Sequence, residues 1–293
     1  MDGVIVVDKA AGWTSHDVVS KLRRIADTRR AGHLGTLDPA ATGVLPVVIG
    51  KATRLSQFYT RSDKIYQGTV RFGWATTTYD REGEIVGEQR HVTLDGAEIG
   101  RALDTFRGEI WQTPPPVSAK RVDGKRAYEL ARKNIAVELA PVKVAIHELE
   151  LLALEDSAVK LRVHCSGGTY MRSLAHDLGK LIGCGAFLED LRRLASGEFE
   201  IAQARTIDQL LALRADDRLI DALVPARDML PGFPGVYVDE GTVREIRNGR
   251  DFAASPFRAH PEARLVKAIT REGELVAIGE AVLPNLYHPL VVL

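Results

Sequence analysis

Residues 32–43 read Gly32-His33-Leu34-Gly35-Thr36-Leu37-Asp38-Pro39-Ala40-Ala41-Thr42-Gly43, the most unusual stretch of the chain. Three glycines, a proline and several small residues let the backbone come close to a ligand, and Asp38, preceding Pro39, is held out of the α region. Taken alone, the segment reads as a tight loop with an Asx turn, a common use of an Asp-Pro pair. A phosphate-cradling loop does not fit. Six residues rather than four separate Gly43 from Gly50-Lys51, and Ala52 stands where a hydroxyl must reach magnesium. A zinc-dependent base deaminase fails for want of His-x-Glu and Pro-Cys-x-x-Cys. A two-carboxylate glycosidase needs an acid partner for Asp38, and Asp27 and Asp63, the nearest acids, lie outside the loop.

The flanks of this loop set a fold class. Before it, residues 4–7 read as a strand, and Ser15 is the expected N-cap of a helix from about His16 whose Val18, Val19, Leu22 and Ile25 share one face. After it come an apolar run at 44–49 and a strand at 64–72. A helix is expected near 98–107, ahead of the triple proline 114–116. Residues 142–154 are rich in β-branched residues and leucine, while Val159, Leu161 and Val163 alternate with Lys160, Arg162 and His164, which predicts an antiparallel pair. A helix from about 169 to 182 ends at Gly183. Residues 225–235 concentrate Pro and Gly, marking a boundary, and short strands follow, separated by expected turns at Asn248-Gly249 and Glu272-Gly273. The reading is an α/β (α+β) chain: a mixed, largely antiparallel sheet in a domain over residues 1–228, then a small β-rich domain over 232–293.

Composition narrows the class further. With 293 residues, 45% hydrophobic and 27% charged, the chain is an ordinary globular one, neither disordered nor collagen-like. Cys165 and Cys184 lie far from any second Cys or His at metal-ligand spacing, so neither a disulfide framework nor a zinc site is expected, and no metal ligand is assigned. No signal peptide and no membrane-spanning run is read, which leads us to expect a cytoplasmic protein without a membrane partner.

Gly-His-Leu-Gly-Thr-Leu-Asp-Pro followed by Ala-Thr-Gly-Val-Leu resembles the catalytic motif of the TruB-type tRNA pseudouridine synthases. Four further motifs match in order: Asp8-Lys9 with Gly12-Trp13-Thr14-Ser15, Lys64-Ile65-Tyr66, Gly168-Thr169-Tyr170-Met171-Arg172-Ser173, and Leu191-Arg192-Arg193-Leu194. The resemblance covers essentially residues 3–200. One departure is Ala10, where the family usually has proline after the lysine, which bears on the rigidity of the first turn.

The resemblance implies a pseudouridine-synthase-like catalytic domain with an RNA-clamping insertion at 118–140 and a PUA-like RNA-binding domain at the C-terminus. It implies isomerisation of uridine 55 in the tRNA T loop, with Asp38 as nucleophile, Arg172 as its ion-pair partner and Tyr66 as the active-site tyrosine that stacks on the target base. His33, Tyr170 and Leu191 match positions that hold the RNA loop or touch the flipped nucleotide, and Lys9, Arg193, Lys120 and Arg121 are expected RNA contacts. The chemistry calls for no cofactor. The partner is the tRNA T stem-loop, no protein partner is required, and a monomer is expected. The rival reading is a catalytically silent RNA-binding or tRNA-folding protein of the same architecture.

The charge distribution agrees with an RNA partner. The chain carries 39 basic and 39 acidic residues, yet residues 21–71 hold ten basic against three acidic, and residues 118–133 hold six against two. Acids concentrate instead at 80–109 and 138–156. Basic patches of this kind give salt-dependent, sequence-blind phosphate affinity and leave specificity to loop shape and base contacts.

Overall fold

The strand Lys64–Phe72 alternates buried and half-buried residues along its whole length, as a strand with one covered face does. It is the centre of one of two compact units in the computed structural model, which describes residues 1–117, 139–253 and 263–293 and the backbone of 121–122 and 125–126. One unit holds Met1–Asp38, Leu45–Thr60 and Glu198–Leu293. The other holds Pro39–Val44 and Arg61–Gly197. Residues 118–120, 123–124 and 127–138 of the expected clamp at 118–140, Lys120 among them, fall outside the described residues. For Arg121 only the backbone pairing with Arg126 is described.

The principal strands are β1 (Gly3–Lys9), β2 (Ala31–His33), β3 (Thr42–Ile49), β4 (Lys64–Phe72), β5 (Gly108–Gln112), β6 (Val142–Glu155), β7 (Ala158–Cys165), β8 (Ala186–Ser196) and β9 (Leu223–Pro225). In the second unit β8, β4, β7, β6 and β5 are hydrogen-bonded in that order and all antiparallel, whereas the start of β3 pairs with β8 in parallel. The mixed, largely antiparallel sheet and the predicted β6–β7 pair are therefore both present. Helix α1 (Ser15–Ile25) buries Val18, Val19, Leu22 and Ile25, the face expected from their spacing. Helix α2 (Gly96–Asp104) is capped by Asp95, and α3 (Met171–Ile182) stops at Gly183, whose φ of +85° needs a glycine.

Two local readings are corrected. The N-cap of α1 is Thr14, not Ser15: the Asp17 amide donates to Thr14 Oγ1 at 3.1 Å, and Asp17 Oδ2 accepts from the Thr14 amide at 3.0 Å. That reciprocal capping box uses Asp at the third position, while Ser15 points elsewhere. Asn248-Gly249 is not a hairpin turn, because it ends a helix, α5 (Glu240–Arg247). Before it in the chain lies α4 (Ile207–Ala215).

The C-terminal strands Gly235–Tyr237, Leu265–Ile269, Leu275–Leu283, Leu286–Val292 and Phe252–Ala253 form a separate five-stranded sheet in that order. Val236, Ile246, Phe252, Val266, Val276 and Tyr287 fill a core between this sheet and α5. The small β-rich region read from the sequence thus has its own apolar centre. Among the described residues, no helix is long and apolar enough to cross a membrane.

Candidate active site

In the first unit, the loop that carries Asp38 is fixed from both sides. β2 pairs antiparallel with β3, setting Gly32 opposite Val48 and His33 opposite Val47. The Leu34 amide donates to the Pro46 carbonyl at 2.9 Å, and Leu34 and Leu37 are buried anchors at 4% and 3% exposure. Ser15 Oγ donates to the Leu37 carbonyl at 3.0 Å and accepts from the Leu37 amide at 2.9 Å. One hydroxyl therefore satisfies both backbone groups of the residue before Asp38, deep enough that water cannot substitute. Asp38 is half-buried, and Pro39 restricts its backbone.

Lys9 and Arg193, expected RNA contacts, lie in the interior at 0% and 1% exposure. Lys9 Nζ donates to the Ala10 carbonyl at 2.9 Å and the Trp13 carbonyl at 2.8 Å, closing the turn in which Ala10 replaces the usual proline. Arg193 Nε donates to the Val44 carbonyl at 2.7 Å. An interior cation must be paired or hydrogen-bonded, so these residues shape the fold around the site.

The second unit places the remaining residues through sheet register. Val163, Tyr66, Arg193 and Gly43 are successive partners across β7, β4, β8 and β3, so the expected tyrosine and the end of the 32–43 motif share one row. Gly43 has φ +100°, and a Cβ there would collide with the Arg193 backbone, so only glycine allows the strands to meet. Tyr66 is 8% exposed. Leu191, half-buried on β8, stands opposite Gly68, where an added Cβ would lie 3.1 Å from its side chain. Lys64, at the start of β4, donates to the Ser62 carbonyl, and burial followed by the Arg193 charge lowers its pKa to about 8.

Helix α3 positions Tyr170 and Arg172. Gln112 grips the Tyr170 backbone twice, accepting from its amide at 2.8 Å and donating to its carbonyl at 3.1 Å. Arg172 is 7% exposed, and its Nη1 lies 3.3 Å from the Thr78 carbonyl and 3.4 Å from Asp80 Oδ2. One turn further along α3, the His176 ring stacks on Tyr79, with centroids 3.6 Å apart and planes within 8°. Burial lowers the His176 pKa to about 4, so that ring is neutral near pH 7. Asp80, Tyr79 and His176 were absent from the sequence reading. The Arg172–His176 spacing of one helical turn was visible, but nothing in the acidic 76–87 segment singled out Asp80 as an arginine partner.

The comparisons with known proteins point the same way. The TruB family pseudouridylate synthase N-terminal domain profile matches residues 23–171, and that of the tRNA pseudouridylate synthase B C-terminal domain matches 172–230. The chain is 67% identical over 293 residues to tRNA pseudouridine synthase B of Solibacter usitatus, covering all of both chains, and 44% identical over 262 residues to that of Thermobifida fusca, covering 87% of each. A chain of a crystallised Cbf5-Nop10-Gar1 complex superposes with TM-score 0.72 at 30% identity, over 97% of this chain and 79% of that one. A chain of an H/ACA RNP bound to a substrate RNA containing 2'-deoxyuridine gives TM-score 0.72 at 27% identity, over 99% and 84%. With profiles spanning residues 23–230 and a relative matched along its whole length, the chain belongs to the TruB family of pseudouridylate synthases.

Proposed function

We propose that this chain isomerises uridine 55 in the T loop of tRNA to pseudouridine, with Asp38 as the nucleophile. The reaction breaks the bond from ribose C1′ to uracil N1, turns the base over and joins C5 to C1′. The C5 proton leaves and N1 regains one, so neither redox chemistry nor an energy source enters the balance. Family membership supports the reaction, and the observation that carries the assignment to Asp38 is the double anchoring of Leu37 by Ser15, which fixes the carboxylate's backbone before substrate arrives.

In this reading Arg172 is the ion-pair partner of the nucleophile, and Asp80 and the Thr78 carbonyl hold that arginine in place. Tyr66 stacks on the target base. The base of a stacked loop is reached only by extrusion, and His33, Tyr170 and Leu191 line the space for the everted nucleotide and its loop. Residues 118–140, with Lys120 and Arg121, clamp the RNA, and residues 232–293 act as a PUA-like RNA-binding domain behind a catalytic domain at 1–228. The protein works in the cytoplasm as a monomer, without a cofactor or a protein partner.

The test is to incubate an unmodified tRNA transcript with the protein alone, then map pseudouridine by carbodiimide labelling and primer extension. A single stop at position 55 is expected. Stops elsewhere would overturn the site, and none at all with tight binding retained would favour the silent RNA-binding reading.

A further inference from the structure

Asp63, His147 and His164 come together in the second unit from three separate elements: the residue before β4, a position on β6 and a position on β7. The local fold creates the cluster. Ile146 pairs with Cys165 and Glu148 with His164, so His147 is the extra residue of a β-bulge. A bulge re-aims its side chain, and here it sets the His147 ring beside His164, with centroids 4.9 Å apart. The Asp63 backbone is fixed because its carbonyl accepts from the Gly197 amide at 2.9 Å.

We propose that these three side chains form a binding site for a borderline divalent cation of the zinc class. The distances carry the argument. His147 Nε2 and His164 Nε2 both address the same Asp63 oxygen, Oδ2, at 3.4 and 3.5 Å. A hydrogen bond from a ring nitrogen wants about 2.7–3.2 Å. Ligands each about 2.0–2.1 Å from a tetrahedral metal stand roughly 3.3 Å apart, which is the spacing of both contacts. All three ligand atoms lie within 4.8 Å of one another.

The donor set sharpens the class. Two imidazoles and one carboxylate suit zinc, cobalt or nickel, whereas magnesium and calcium prefer all-oxygen shells. The side chains are 31–50% exposed, which leaves the remaining coordination positions to water. Sequence spacing hid the site because its ligands are far apart in the chain and meet only through β4–β7–β6 pairing. His164 pairs with Ile65, next to Tyr66 but on the alternate face of the sheet, so the cation braces the strand of the proposed active-site tyrosine from behind.

The experiment is equilibrium titration of the full, untagged chain with Zn²⁺, and with Co²⁺ to read its visible absorption. One ion per chain is expected, with cobalt bands of a nitrogen–oxygen site. His147→Ala, His164→Ala and Asp63→Asn should each weaken binding at least about tenfold. His288→Ala, which removes the separate His288–Asp251 pair, should change nothing. Thermal unfolding without metal checks that each surface variant is folded. Binding that none of the three variants weakens, or no stoichiometric binding at millimolar Zn²⁺, would overturn the site. Neither outcome bears on pseudouridine formation.

Discussion

The Ser15 hydroxyl and the Leu37 backbone are joined twice, as donor to the carbonyl and as acceptor from the amide, across 22 positions of sequence. This places the orientation of Asp38 under the control of a side chain at the start of α1. Ser15→Ala leaves a buried amide and carbonyl unsatisfied, a cost of about 1–3 kcal/mol. Turnover should fall about ten- to a hundredfold as the loop loses its register. tRNA affinity should change little, which single-turnover kinetics and filter binding will separate.

The Arg172–Asp80 pair gives a second expectation. Both side chains are largely buried, at 9% and 15% exposure, so removing the carboxylate takes a charge-assisted contact from an interior guanidinium. Asp80→Ala should cost about 3 kcal/mol in unfolding free energy, measured by urea titration. Asp80→Asn retains an acceptor and should unfold near wild type while still slowing turnover, because the charge that orients Arg172 is gone.

Much of this arrangement was legible in the sequence, and the limits have physical causes. The helical face of α1, the alternation of β7 and the stop at Gly183 are local patterns of hydrophobicity and backbone freedom, and each matched. Helix α5 was missed because Val243 and Ile246 are its only buried residues, too few to show a helical period in a polar segment. Ser15 was read as a cap because Thr14 and Ser15 are both good caps, and only the distant Leu37 backbone decides between them. Lys9 and Arg193 entered as expected RNA contacts through the motif resemblance, which does not show how deeply the fold buries them. Their carbonyl partners are close in sequence for Lys9, yet Val44 reaches Arg193 only through the parallel β3–β8 pairing.

Gly43 tests that pairing. Gly43→Ala combines a strained φ with a collision against the Arg193 backbone. The expected loss is about 2–4 kcal/mol, read as a lower urea midpoint. Gly232→Ala, where an added Cβ meets nothing, should be close to neutral.

His176 predicts the acid limb of stability. Its pKa falls from 6.5 to about 4 on folding, so between those values the unfolded chain binds more protons. Its stabilising contribution is fully present above pH 6.5 and declines as pH drops toward 4. Melting temperature should fall across that window, and His176→Phe, which preserves the stack on Tyr79, should flatten the fall. A His176 ring titrating near 6.5 by NMR would contradict this.

Tritium release from the uracil C5 of a single tRNA transcript, measured for wild type and Asp38→Asn together with their tRNA affinities, tests the central claim most directly. Wild type should release tritium, Asp38→Asn none above background, and both should bind tRNA similarly. Release by Asp38→Asn at the wild-type rate would contradict that claim.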